Sequence, residues 1–396
     1  MNIVVFDLEI TGHHPGYIRH LLRHWPDPNT TLTLVVSPEF LQAHGDVVQT
    51  KTDAAVTWSP ITADELRWYT ASKSAPLRRA WIEWQLFCRY AKKVHADHGL
   101  VMYIDRFQLP LALHLPIPCP ISGIYFRPKF HYTNFSNHRP AKGEWLKAQR
   151  EQLLWRSALR HSKLRTLFSL DPLAVEPLCR LNSSARIRHL PDPVETYPSS
   201  SLTISLKQTL GIDPQRKVFL LFGVLDKRKG IYQILAGLKQ LSESQQAQIT
   251  LLLIGPLAEP KQRGAEIQAT EHDTAVQIIL QDRFVPDEQI QPYFEIADVV
   301  LALYQHHVGM SAIVVRAAAA GKPVLASDYG LMGELVKRYS LGIAIDSTKI
   351  SQIVQGFNDF LKKNLNSIFD INSASRFAQA NLPKQFVKTL SQNMLR

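Results

Sequence analysis

YQHHVGMSAIVVRAAAAGKPV, residues Tyr304 to Val324, is the stretch on which the reading of the fold turns. The apolar run ahead of it, ending at Ala302-Leu303, reads as a strand that breaks at a polar loop holding His306 and His307. Gly309-Met310-Ser311 then reads as the opening of a small-residue helix that stops at Gly321, and Lys322-Pro323-Val324 leads into the next strand. A helix that starts beside a strand end offers unpaired backbone N–H groups and the positive end of its dipole. Together these favour an anion, most often a phosphate. A Gly-plus-Ser start is also an ordinary helix cap, and at this point both readings stand.

A second junction of the same kind lies upstream, in KVFLLFGVLDKRKGIYQILAGLKQL. Lys217 to Phe222 is an apolar run that fits a buried parallel strand and ends in Gly223. After Gly230, Ile231, Ile234, Leu235, Leu238 and Leu241 recur at helical spacing. Between them sits Asp226-Lys227-Arg228-Lys229. A basic strand-to-helix loop is where a doubly wound sheet holds a diphosphate. Lys227 reads as a solvated charge, and Lys229, directly before Gly230, as a ligand contact.

Outward from these junctions the same alternation fills the chain. Short apolar runs separated by helical patterns give the α/β class, and 396 residues exceed one ordinary core. In the first half, strands are expected at Ile3 to Leu8, Thr31 to Val36, Leu100 to Ile104, Ile121 to Phe126, Leu164 to Leu170 and Arg186 to Leu190. In the second half they are expected at Val218 to Phe222, Ile249 to Ile254, Val276 to Leu280, Val299 to Leu303, Pro323 to Ala326 and Gly342 to Ile345. Proline and serine crowd together from Pro191 to Ser201 and mark a linker. The expected division is 1–195, 196–370 and a helical tail, 371–396. The expected architecture is two Rossmann-like doubly wound domains facing a cleft, with ligands at the carboxyl ends of the strands.

Three cysteines without metal-type spacing suggest a reducing compartment. MNIVVFDLEI reads as a strand rather than a signal peptide, and no apolar run approaches a membrane span, so a cytoplasmic location is expected. The formal charge is +11, and Arg67 to Arg165 holds 18 Lys/Arg against 5 Asp/Glu. No nucleic-acid module is visible, so nucleic acid is not expected as a partner. Arg78, Arg79, Arg89, Lys92 and Lys93 alternate with Trp81, Trp84 and Phe87 in one helical segment. That pattern suits peripheral contact with an anionic membrane at its cytosolic face, and equally a core helix with a basic outer face.

The second half resembles the retaining group one glycosyltransferases of the GT-B type. The likeness runs from Lys217 to Asp346 and rests on the order of many pieces. They include Gly223 with Lys229-Gly230, Leu253-Ile254-Gly255, Phe284-Val285-Pro286, Gly309 to Ser311, Gly321-Lys322-Pro323 and Gly330 with Glu334. The resemblance implies a nucleotide-sugar donor and retention of configuration and leaves the acceptor open; the basic, aromatic segment suggests a lipid-linked one, with a polysaccharide as the other candidate. The resemblance requires neither metal nor another cofactor. The implied donor-site residues are Gly223, Lys229, Val285, His307, Gly309, Met310, Ser311 and Arg316, with Lys229 and Arg228 stabilising the leaving diphosphate. In the first half, Gly12, His13, His14 and Gly16 stand where the family carries an acceptor-side loop. One of His13 and His14 is the candidate there for contact with sugar or acceptor, and Asp105 for orienting the acceptor. The chain departs from the family at Val308 and Arg316, where two glutamates are usual, and at Val224, where an arginine is usual. Those departures imply an altered donor pocket, or a GT-B-like protein that binds nucleotide or sugar without turnover.

Overall fold

The computed structural model describes residues 1–135, 143–195, 202–364 and 367–394. The chain forms two units. One gathers the chain up to Pro193 together with the stretch from Leu382 onward, and the other contains Val194–Asn381.

The first unit is built on a seven-stranded sheet: β1 (Asn2–Asp7), β2 (Thr31–Val36), β3 (Ala55–Pro60), β4 (His98–Val101), β5 (Ile121–Tyr125), β6 (Leu164–Ser169) and β7 (Ile187–His189). Their order is β3-β2-β1-β4-β5-β6-β7, and every pairing is parallel. Parallel strands are covered on both faces, so β1 is apolar at successive positions. Val4 and Phe6 join the core that holds Trp84 and Phe87 of the helix Pro76–Lys93, with the Phe6 and Phe87 rings 5.8 Å apart. Ile3 and Val5 join the opposite core, with Ile18, Leu21 and Leu22 of the helix His14–His24.

The second unit repeats the plan with β8 (Lys217–Phe222), β9 (Ile249–Ile254), β10 (Gln277–Gln281), β11 (Val299–Ala302), β12 (Val324–Ser327) and β13 (Gly342–Ile345). The order is β10-β9-β8-β11-β12-β13, again all parallel. In each sheet the strand order reverses once, between β1 and β4 and between β8 and β11. Connections diverge at such a reversal and leave a crevice beyond the carboxyl ends of the two central strands. The loops after β1, β4, β8 and β11 therefore hold the places for chemistry.

Two expectations about organisation differ from the structure. β3 is a strand beyond those expected from the sequence. The segment 371–396 is not one tail. The helix Ile371–Ala380 belongs to the second unit, where Phe377 packs on Tyr339 with ring centres 4.9 Å apart. The helix Pro383–Met394 belongs to the first, where Phe386, Val387 and Leu390 enter the core beneath β1.

Candidate functional site

In the second unit, β8 ends at Phe222 and the chain turns through Gly223, whose φ is +101°. Lys227–Lys229 form one 3₁₀ turn, capped by the Asp226 carboxylate, which accepts from the Lys229 N–H at 3.1 Å. Gly230 then opens the helix Ile231–Lys239 at φ +75°, with its Cα face against the Leu303 carbonyl; a Cβ there would lie 2.3 Å from that oxygen. Only glycine satisfies both conditions.

Lys229 is not the exposed contact its basic surroundings suggested. It is 5% exposed, and its Nζ donates to the Phe222 carbonyl and to the Tyr304 hydroxyl oxygen, each at 2.7 Å. The Tyr304 ring also lies 4.6 Å from Nζ. The Tyr304 hydroxyl is 2.9 Å from Ser311 Oγ, so the loops after β8 and β11 are joined by a Lys229–Tyr304–Ser311 chain. Arg228 is half-exposed, 3.7 Å from Asp226, and its guanidinium lies 5.2 Å from the Tyr304 ring centre. Lys227 is exposed.

The helix expected to open at Gly309 begins at Ala312 and runs to Ala319. Ser311 is its N-cap, its hydroxyl accepting from the Ile313 N–H at 3.3 Å, while Gly309 and Met310 lie in the loop before it. The cap reading therefore holds for Ser311. Ser311 takes the Ile313 N–H on its hydroxyl and the Val314 N–H on its carbonyl, which leaves the Ala312 N–H at the head of the helix. His307 is folded back, with Nε2 3.1 Å from the Met310 carbonyl and its ring 5.1 Å from that of Tyr304. Val285 is buried in the loop after β10, beside Phe284, which is 75% exposed. Arg316 is engaged by the Glu195 carbonyl at 3.3 Å and by the Asp287 carboxylate at 3.4 Å.

In the first unit, Asp7 closes β1 and is 2% exposed. It is 2.7 Å from Nδ1 of His14, the first residue of the following helix. Burial pulls the His14 pKa down, but the charge and hydrogen bond of Asp7 outweigh it, helped by Glu9, and the pKa is raised. The imidazole stacks on Phe126 and meets Tyr103 edge-on, and Nδ1 is the nitrogen that Asp7 occupies, so Nε2 is the one available to a ligand. His13 is exposed and makes no cap bond, while Gly12 turns the loop at φ +72° and Gly16 lies in the helix. His14, rather than His13, is thus the positioned histidine. Asp105 lies beyond β4 and accepts from the Phe126 and Arg127 N–H groups at 2.9 and 3.0 Å. Burial nevertheless pushes its pKa up to about 6. With its oxygens given to the backbone, Asp105 fixes the loop after β5 to the loop after β4.

The basic helix is largely a core helix. Arg79 is tied to Glu9 and Glu83, and Arg89 to Glu65. This leaves Arg78 and Lys92 exposed, with Leu77 and Trp81 beside them on the outer face. Among the described residues no helix is long and apolar enough to cross a membrane, and no cluster of three or more His, Cys, Asp or Glu is arranged to hold a metal ion. Two residues at these crevices escaped the sequence reading. Asp7 was signalled as the one charge in the apolar run NIVVFD. Tyr304 was signalled only as the first residue after the expected strand Val299 to Leu303.

Comparison with known proteins places this geometry. Residues 204–381 match the family described as Glycosyl transferases group 1. Over 147 residues the chain is 35% identical to the lipopolysaccharide 1,2-N-acetylglucosaminetransferase of Salmonella typhimurium, a stretch covering 36% of this chain. The match spans 38% of that protein's own length, as does the match to a Bacillus subtilis glycosyltransferase at 24% identity. Whole-chain likeness is found with sucrose-phosphate synthase from Thermosynechococcus elongatus, at a TM-score of 0.68 and 15% identity, covering 99% of this chain and 98% of that one. Anabaena HepE, solved with UDP, gives 0.64 and 14%, covering 99% of both chains. At such identity these structures speak for the fold. The chain thus has the two-domain GT-B fold, and its residues 204–381 match the model of the group 1 glycosyltransferases.

Proposed function

We propose that this protein transfers a sugar from a nucleoside diphosphate sugar to an acceptor hydroxyl, with retention at the anomeric carbon. The single observation that carries the reading is the Lys229–Tyr304–Ser311 chain at the reversal between β8 and β11, beside the head of the helix Ala312–Ala319. Cleaving a sugar–phosphate bond leaves negative charge on the distal phosphate. A buried ammonium and the Ala312 N–H at the positive end of the helix dipole offset that charge without a metal ion. In this reading Lys229 exchanges the Tyr304 hydroxyl for a phosphate oxygen, and Arg228 grips a second oxygen from the rim. Gly223 leaves room for the diphosphate to approach the strand end, and Val285 with Phe284 borders the base.

Relatives support a uridine nucleotide: HepE has been solved with UDP-glucose, and an Escherichia coli trehalose-6-phosphate protein with UDP-2-fluoro glucose. On the acceptor side, His14 Nε2, oriented by Asp7, meets a sugar hydroxyl. The leaving phosphate takes the acceptor proton, so no protein carboxylate is required as base. A lipid-linked or polysaccharide acceptor at the cytosolic membrane face suits the exposed Arg78, Trp81 and Lys92. The alternative, a nucleotide-binding protein without turnover, draws on Val308 and Arg316 at the two positions where the family carries glutamate.

A thermal-shift and turnover screen with nucleoside diphosphates and their sugars tests both. Stabilisation grows as the logarithm of ligand over Kd. A shift with UDP and slow hydrolysis of one UDP-sugar supports transfer. A shift without hydrolysis or transfer to any acceptor supports the alternative, and no shift with any nucleotide removes both.

A further inference from the structure

The first unit contains a cavity of about 310 Å³ at the carboxyl ends of β4 and β5, within the size range of small-molecule sites. Four cations converge on it. Arg127 and Lys129 come from the loop after β5, and Lys147 and Arg150 from the helix Glu144–Ala158. On that helix Lys147, Arg150, Glu151 and Leu154 recur at three- and four-residue spacing, so one stripe faces the cavity while Ala148 and Trp155 are buried in the core. The helix is therefore anchored, and its basic stripe is held in place rather than free to turn away.

None of these four side chains is hydrogen-bonded or ion-paired to a described residue. Their neighbour Arg106 behaves differently: it also lines the cavity, but Glu9 and Glu83 hold it. Arg127 and Lys129 are each near enough to act on one wall acid, Asp105 and Glu151 respectively, but two acids do not balance four cations. Asp105 is committed to backbone N–H groups, and Glu151 accepts from the Tyr125 hydroxyl. Burial, with Asp105 adding to it, pushes the Glu151 pKa up to about 7, so that acid is only part-ionised at neutral pH. Four like charges around one small concavity repel one another unless an anion joins them.

We propose that this cavity binds a phosphate-type group, a monoester or a diester, carried by the acceptor. Only the word acceptor rests on the glycosyltransferase reading; the anion site stands on the first unit alone. Two arginines and two lysines from two elements supply both bidentate and point-charge contacts. Tyr103, on the cavity wall, also meets the His14 ring at 5.8 Å, so a phosphate held here would leave the rest of its molecule beside the His14–Asp7 pair.

The test is calorimetric titration of the full chain with glycerol 3-phosphate in saturating UDP, and cosedimentation with vesicles of phosphatidylglycerol or phosphatidylcholine. The variants are Arg127→Gln/Arg150→Gln and, as a control for net charge, Lys261→Gln/Lys384→Gln on exposed ground elsewhere. The first pair is expected to weaken binding by about tenfold or more while leaving UDP affinity unchanged. Arg127→Lys/Arg150→Lys, which keeps the charge, is expected to recover most of it. Loss with glycerol 3-phosphate assigns the site to a soluble phosphate, and loss with phosphatidylglycerol alone assigns it to a lipid headgroup. Either supports the proposal. Wild-type protein that binds neither probe, a folded double variant that binds as wild type does, or an equal loss in the control pair overturns it. Failure of UDP to bind would instead overturn the donor assignment, in which case the glycerol 3-phosphate arm is read without UDP.

Discussion

Lys229→Ala is the perturbation that most directly examines the donor site. In the folded protein Lys229 makes two 2.7 Å hydrogen bonds, to the Phe222 carbonyl and the Tyr304 hydroxyl. Removing it orphans the carbonyl, since Tyr304 retains Ser311 as a partner at 2.9 Å. One buried orphan costs about 1–3 kcal/mol, and a domain of this size has about 5–15 in hand, so the variant folds. Melting is expected to drop by about 3–10 °C. The effect on ligand is separate. A charge-assisted contact to phosphate contributes about 1.5–3 kcal/mol, so UDP affinity is expected to fall roughly tenfold to a hundredfold while uridine affinity holds. Turnover falls at least as far, because negative charge on the phosphate grows in the transition state. Calorimetry with UDP and uridine reads the first effect, and release of UDP from UDP-sugar reads the second. Tyr304→Phe provides the opposing case. It frees Lys229 from a competitor, so UDP affinity is expected to hold or rise as stability falls. A folded Lys229→Ala protein with wild-type UDP affinity and turnover would refute the assignment and put the diphosphate elsewhere.

Ala312→Pro removes one N–H at the first position of its helix, where proline is tolerated, and Ser311 before it is already extended at φ −131° and ψ 124°. UDP binding is expected to weaken by about tenfold and uridine binding to stay unchanged, with little change in melting; equal losses for the two ligands count against phosphate at this helix. Gly230→Ala meets a left-handed φ of +75° and a Cβ-to-carbonyl distance of 2.3 Å. A stability loss of about 2–4 kcal/mol is expected in urea titration, and a loss under 1 kcal/mol would show that the loop after β11 yields. His98 is 3% exposed, 3.0 Å from Ser122 Oγ, and burial, aided by Arg165, pushes its pKa down to about 4. Above pH 6.5 it is neutral folded and unfolded; as pH falls from 6.5 to 4 the unfolded chain takes up a proton that the folded chain refuses. About 3 kcal/mol is therefore lost across that window, and His98→Gln is expected to lack that part of the slope. Parallel slopes for wild type and variant would place the acid sensitivity in other groups.

Most of the architecture was legible because parallel strands buried on both faces write themselves as apolar runs, as in VFLLF and TLLLI. β3 was not, because AVTWSP lies at the sheet edge, where its residues are half-buried or exposed and no run is needed. Charge and position mark the loop after β8 as a candidate phosphate site, yet the state of Lys229 was not legible. Its burial depends on Tyr304, a partner seventy-five positions along the chain, and on the space opened by Gly223. Spacing alone also could not choose between His13 and His14. The choice is made by Asp7, which β1 delivers to the base of the loop. The C-terminal helix shows its apolar stripe at Phe386, Val387, Leu390 and Met394, but a stripe does not name the core it will enter.

Arg316 raises the sharpest question about the proposed donor pocket, because an arginine stands where the family usually carries a glutamate. Taken alone, the exchange inverts the local charge. In the structure the guanidinium, only 11% exposed, is already held by Asp287 and by the Glu195 carbonyl, so the position presents a pair of nearly zero net charge. Asp287, on the turn after β10, thus brings an acid to the place where residue 316 supplies none. Restoring the family residue by Arg316→Glu would then harm rather than help. It places two carboxylates side by side and takes the donor from the Glu195 carbonyl. Since Asp287 is half-exposed, the ion pair itself contributes at most about 1 kcal/mol, and the total loss is expected to be about 1–2 kcal/mol, or roughly 2–8 °C in melting. UDP affinity is expected to fall with it, and Arg316→Glu/Asp287→Arg, which rebuilds the pair in reverse, to recover part of both. Melting curves with and without UDP measure the two effects in one experiment. A single Arg316→Glu variant that is more stable and binds UDP more tightly would show that the acid had been lost without replacement, and that the reading without turnover fits the chain better.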